Sequence, residues 1–286
     1  MEQVVVATLI NMLVLSCIYI LVALGFAFLF NIIGILNLAH GAIYMIGGYI
    51  GFVFAMILGL NKWVALLLST IVVALFGVFL ERFCFRPFAG NFNRIIMVCV
   101  AITVILQTAV NIIVGTKTLA LPAFVEGVLR AGSISVSYQR IVTFTIGVGL
   151  LGAIVWFVNR TKWGKQMQAI SQDREGAYLQ GIRVHDVSAV ASALGCGLAA
   201  IAGCLMGAYL GLGPFMGDLM LVKALILTIL AGAGSISGIF ITGIVLGTLD
   251  AVIPMWIVGA GSDAIVVSIV VVLLLIRPKG FFGHEA

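Results

Sequence analysis

The sequence predicts an all-α integral membrane protein of about eight to nine transmembrane or partly re-entrant helices, with a periplasmic N-terminus and a cytoplasmic C-terminus. Three observations predict it. Hydrophobic residues make up 63% of the 286 and charged residues only 9%, with a mean hydropathy of +1.28, whereas soluble domains carry roughly 25% charged residues. The apolar residues fall into long runs, and a helix needs about 20 of them to cross a bilayer. The basic residues collect in alternate loops, which sets an orientation.

The runs follow in order. Val4 to Phe30 comes after an N-terminus with neither a basic stretch nor a small-residue cleavage site, so it reads as a retained first span. Leu38 to Leu58, Trp63 to Leu80, Ile95 to Gly115, Ile141 to Val158 and Val187 to Leu212 are the next candidates. Leu219 to Ala231 and Ile239 to Ile253 are short: a helix over the first of these rises about 20 Å against a hydrocarbon core of about 30 Å. Two stubby helices and one re-entrant hairpin are both open there. Ala264 to Ile276 closes the series as one transmembrane domain over 1–286.

Arg82, Arg86, Arg94, Arg160, Lys162, Lys165, Arg174, Arg183, Arg277 and Lys279 lie in loops of one side. Lys62, Lys117, Arg130 and Arg140 lie on the other, with Lys223 just inside the seventh run. The first group marks the cytoplasmic side, so 159–186 is an inner loop and 116–140 an outer one. In the outer loop, Ile134, Val136 and Tyr138 alternate with Ser133, Ser135 and Ser137, which suits a short half-buried strand in a small hairpin.

Composition also excludes. The pI of about 9.1 is explained by loop topology, and no basic stripe with interleaved aromatics exists to bind nucleic acid. Cys17, Cys84, Cys99, Cys196 and Cys204 sit in or beside apolar runs without metal-ligand spacing and read as free thiols. His40, His185 and His284 are too scattered to hold a metal, and no nucleophile, base and acid set suggests catalysis. No GxxxxGK[ST] loop is present, so the chain offers no phosphate-cradling motif of its own for ATP.

Two stretches break the apolar pattern. NIIGILNLAHG (31–41) places Asn31, Asn37 and His40 among apolar residues, and AGAGSISG (231–238) interrupts a run with glycines and serines. Non-helical backbone at membrane depth persists only where protein or water surrounds it, and broken helices in transport proteins flank the pathway. Asn37 and His40 keep a second reading, as caps of a helix that starts near the cytoplasmic interface. Asp250, near the end of a run and close to Pro254, reads as an interfacial carboxylate.

In the inner loop, GKQMQAISQDREGAYLQGIRV (164–184) predicts a short extramembrane helix that Ser171 caps, with Asp173 and Glu175 in its first turn and Gly181 as its stop. Met167, Ile170, Tyr178 and Leu179 supply apolar anchors for a partner's groove or the bilayer surface.

GILNLAHGAIYMIGGYIG, AISQDREGAYLQGIRV, LVKALILTILAGAGSISGIFITGIVLG and LLLIRPKGFFG occur in that order, and through them nearly the whole chain resembles the LivH-type permease subunit of branched-chain amino acid ABC importers. The resemblance implies a bacterial inner-membrane permease domain that forms half of a translocation pathway for branched-chain or related amino acids. It implies a LivM-type second permease, two cytoplasmic ABC ATPases holding the ATP and Mg, and a periplasmic binding protein; the chain itself needs no cofactor. By position it implies that Ala169, Asp173, Ala177 and Gly181 belong to a cytoplasmic loop coupled to an ATPase, and Ile170 and Glu175 of the same predicted helix are candidates for that coupling site. Asn37, His40 and Gly41 fall at the family's broken second helix, and Gly232, Gly234, Ser235 and Gly238 at its glycine-rich break, both beside the pathway. Ala42 is a departure, since the family often has an acidic residue there. The alternative is a stand-alone secondary transporter or channel for small polar solutes, which would show paired acids at the midplane; the interior of this chain reads as nearly free of charge.

Overall fold

The computed structural model describes residues 2–88, 90–131, 134–232, 235–257, 259–276 and 280–281. Helix α1 (Glu2–Phe28) continues as a π-helical turn, Leu29–Ile33, and stops at Gly34, whose φ of 77° is the left-handed conformation that a Cβ disfavours. Helix α2 (His40–Phe52) and α3 (Lys62–Phe79) also end in π-helical turns, Val53–Ile57 and Leu80–Phe85. Helix α4 (Phe92–Val114) precedes an antiparallel hairpin of β1 (Val128–Ala131) and β2 (Ile134–Ser137), in which Val128 pairs with Ser137. Then come α5 (Tyr138–Arg160), α6 (Lys162–Gln172), α7 (Arg174–Leu179), α8 (Val184–Leu210), α9 (Met216–Ala231), α10 (Ile236–Val252) and α11 (Ala260–Ile276).

Several starts are written in the sequence. The side chains of Asn61, Asn91, Thr161, Asp173 and Ser235 each accept a hydrogen bond from a backbone N–H in the first turn they precede, satisfying donors that a helix start otherwise leaves unpaired.

Among the described residues seven helices are long and apolar enough to cross a membrane; α11 is shorter, and α9 has 16 residues including Asp218 and Lys223. Helices α1 and α8 form the centre. α1 packs on α10, α8, α5 and α9, while α8 also packs on α2 and α3; α4 is peripheral, its only buried side chains being Ile95, Cys99 and Val110. Between helices in lipid the hydrophobic effect offers little driving force, so contact depends on small residues. A Cβ on Gly243 would strike Ile20 and one on Gly247 would strike Ser16, which is why α1 and α10 lie so close.

The loops form two groups. The β-hairpin end holds the start of α1, Lys62 on the carbonyl of Ala123 at 2.6 Å, and the paired Leu119 and Leu212. The opposite end holds Gly34, Arg86, α6 and α7, and the start of α10.

Two local expectations are corrected. Tyr138 opens α5 instead of extending the strand, although the hairpin is present. Ser171 lies in the last turn of α6, where its Oγ donates to the carbonyl of Gln168, and Asp173 caps α7 instead. All five cysteines are free and only Cys84 is partly exposed.

Candidate functional site

The chain between Gly34 and Ala39 turns back into the bundle. The side-chain carbonyl of Asn37 accepts from the N–H of Ala39 at 3.1 Å, in the turn that leads into α2. The His40 ring is fully buried, with Nε2 3.1 Å from the carbonyl of Val22 and its plane edge-on to Phe26. Val22 precedes Ile33 by eleven residues, about 16 Å along α1. Helix α2 therefore begins inside the bundle, at its N-cap Ala39 and without a side-chain cap, and Asn37 holds the turn before it. Asn37 Nδ2 and His40 Nδ1 have no hydrogen-bond partner among the described residues.

Gly41 meets the start of α9. A Cβ on either Gly41 or Gly217 would strike the other's carbonyl oxygen, so two helix starts touch within the bundle. Helix starts carry unpaired N–H groups and the positive end of the helix dipole. Asp218, in the first turn of α9, accepts a hydrogen bond from Gln107 of α4.

The glycine-rich break joins α9 to α10. Gly232 has a φ of 88° and ends α9, the Ser235 hydroxyl accepts from Gly238 N at 3.0 Å, and a Cβ on Gly238 would strike the carbonyl of Ala231. Gly234 lies outside the described residues. The structure sets these positions at the end of the bundle that bears α6, and it does not bring them against Asn37 and His40.

The loop formed by α6 and α7 carries buried and exposed side chains in turn. Met167 and Ile170 of α6 and Ala177 of α7 are buried against the subunit's own helices. Asp173 Oδ1 accepts from Glu175 N and Gly176 N at 3.0 Å, the N–H of Asp173 donates to Ala169, and Gly181 leaves α7 with a φ of 82°. Tyr178 and Leu179 are 70% and 84% exposed beside a groove of about 550 Å³ lined by Arg174, Glu175, Tyr178, Leu179, Val184 and His185. Arg174 Nη1 donates to the carbonyl of Ile33 at 2.9 Å, which ties α7 to the break after α1.

The expectation of a charge-free interior is overturned. Lys223 of α9 is 5% exposed and Asp250 of α10 is 9% exposed, and their Nζ and Oδ2 lie 2.6 Å apart. Lys223 also reaches Asp263 of α11 at 3.1 Å, and the Tyr19 hydroxyl of α1 donates to Asp250. Removing one member of a buried ion pair costs about 3–5 kcal/mol, because the other charge stays behind unpaired. Nothing in local sequence marks the pair beyond a lysine and an aspartate inside apolar runs, each of which was ascribed to an outer end.

A bundle of lipid-length helices with two helix starts meeting inside it, and with a capped helical loop at one end, is the architecture of a membrane transport protein. Residues 8–277 match the family described as branched-chain amino acid transport system, permease component, and the chain belongs to that family. It is 32% identical to the high-affinity branched-chain amino acid transport system permease protein BraD of Pseudomonas aeruginosa, over 96% of this chain and 95% of that protein. It is 30% identical to LivH of Escherichia coli K12, over 96% and 94%. Among solved structures, a chain of PsaBC from Streptococcus pneumoniae in complex with Fab has the same fold, with a TM-score of 0.55 and 17% identity over 96% of this chain and 94% of that one.

Proposed function

We propose that this permease component moves leucine, isoleucine, valine or related amino acids across the bacterial inner membrane as half of a pathway shared with a LivM-type second permease. A periplasmic binding protein delivers the substrate, and two cytoplasmic ABC ATPases, which carry the ATP and Mg, drive the cycle. Residues 1–286 act as one transmembrane domain with the N-terminus periplasmic and the C-terminus cytoplasmic. The pathway runs beside Asn37, His40 and Gly41, where two positive helix ends converge in a form suited to a substrate carboxylate, and past Gly232, Gly234, Ser235 and Gly238 toward the cytoplasm.

The observation that carries this reading is the two-sided inner loop. Ile170 and Ala177 seat it on the bundle, Ala169, Asp173 and Gly181 set its turns, and Glu175, Tyr178 and Leu179 stand free for an ATPase. Large apolar side chains left bare on a loop outside the lipid mark an interaction surface. The test is the double variant Tyr178→Asp with Leu179→Asp in the assembled complex. It should reach the membrane at the normal level, lose the co-purifying ATPase subunits and lose leucine uptake. Full ATPase retention with full uptake would place the docking surface elsewhere.

A further inference from the structure

The Lys223 cluster lies deep along the helices. Gly243 rests on Ile20 and Gly247 on Ser16, so Asp250, three residues further along the antiparallel α10, lies near the level of Leu13, where the Tyr19 hydroxyl reaches it. Leu13 is eight residues past Val5, where the first span begins, or about 12 Å along the helix. Charges at such depth are expensive and mark function more often than fold alone. The cluster also draws on four helices: Tyr19 from α1, Lys223 from α9, Asp250 from α10 and Asp263 from α11.

The two carboxylates are not equivalent. The Asp250 side chain is 6% exposed and holds both Lys223 and Tyr19. The Asp263 side chain is 42% exposed, and among the described residues it is paired with Lys223. The Asp263 half of the bond therefore has room to part, whereas the Asp250 half is enclosed by the bundle and by Tyr19. Helix α11 is also joined to few elements: a 3-10 turn at Ile253–Met255 and Gly259 at φ 82° precede it, and it packs chiefly on α9, α10 and that turn.

We propose that Lys223 is a positioning residue for transport: its ammonium, shared between Asp250 and Asp263, sets the Ala260 end of α11 against α9 and α10, and the Asp263 half of the bond opens and closes as the permease cycles. Asp250 keeps Lys223 in place throughout, so the joint returns to the same position after each turnover.

A structural role and a positioning role part company when the buried charges are removed together. Replacing a buried ion pair by apolar residues of similar volume preserves folding, whereas removing one partner does not. The triple variant Tyr19→Phe, Lys223→Met, Asp250→Leu should therefore accumulate in the membrane and retain its partner subunits, while uptake of radiolabelled leucine falls about tenfold or more. Asp263→Asn, which leaves the buried pair intact, should accumulate normally with a similar loss, and Asp263→Glu should recover most of it. Wild-type uptake in either the triple variant or Asp263→Asn overturns the proposal; if the triple variant does not accumulate, Asp263→Asn decides alone. Leucine uptake by the unaltered complex is the parallel control, and its absence would count against the substrate reading, not against the role of Lys223.

Discussion

At Gly41 and Gly217 the absence of a side chain is what lets two helix starts touch, since a methyl on either would overlap the other's carbonyl. Gly41→Ala should lower stability by about 1–3 kcal/mol, the usual cost of overpacking, seen as a lower melting temperature of the detergent-extracted complex; an unchanged melting temperature would mean that the contact is not made. Ile170 has a different meaning from the one its sequence suggests. As an apolar anchor on a loop it reads as part of a docking face, but it is buried in its own subunit. Ile170→Glu must then bury an unpaired carboxylate at a cost of several kcal/mol, so the chain itself should fail to accumulate in the membrane. Normal accumulation with selective loss of the ATPases would restore the docking role to Ile170.

At the scale of elements, the hairpin and the α6–α7 loop occupy opposite ends of the bundle. Single cysteines at Ser135 and Gln180, both exposed, placed in a cysteine-free background should react with a membrane-impermeant thiol reagent from opposite sides of sealed cells, with Ser135 outside. Labelling of both from one side would overturn the orientation. Much of these elements was legible. Asn61 and Asn91 cap as their residue type dictates, and the alternation in the outer loop does form a strand. The α6–α7 junction was not, because Ser171 and Asp173 are both cap residues two positions apart. Met167 and Ile170 decide between them: their burial extends α6 through Ser171, and the next competent side chain, Asp173, starts α7 with two hydrogen bonds.

For the whole molecule, the sequence holds no phosphate-cradling loop, and on the proposed reading the purified chain should neither hydrolyse ATP nor carry leucine into liposomes unaided. Leucine flux by the isolated subunit would favour a stand-alone transporter. The sequence by itself determined the membrane class, the approximate spans, the two groups of loops and the permease family, because hydropathy, basic-residue placement and local motifs are read along one dimension. Only the tertiary structure decided that α2 starts inside the bundle, that Ile170 faces inward while Tyr178 and Leu179 face out, and that the interior carries charge. Lys223 and Asp250 are 27 positions apart, and Asp250 and Tyr19 are 231 apart. Each looks like a misplaced polar residue in its own helix, and only the packing of four helices, close enough at Gly243 and Gly247 for α10 to lie on α1, turns them into one compensated group.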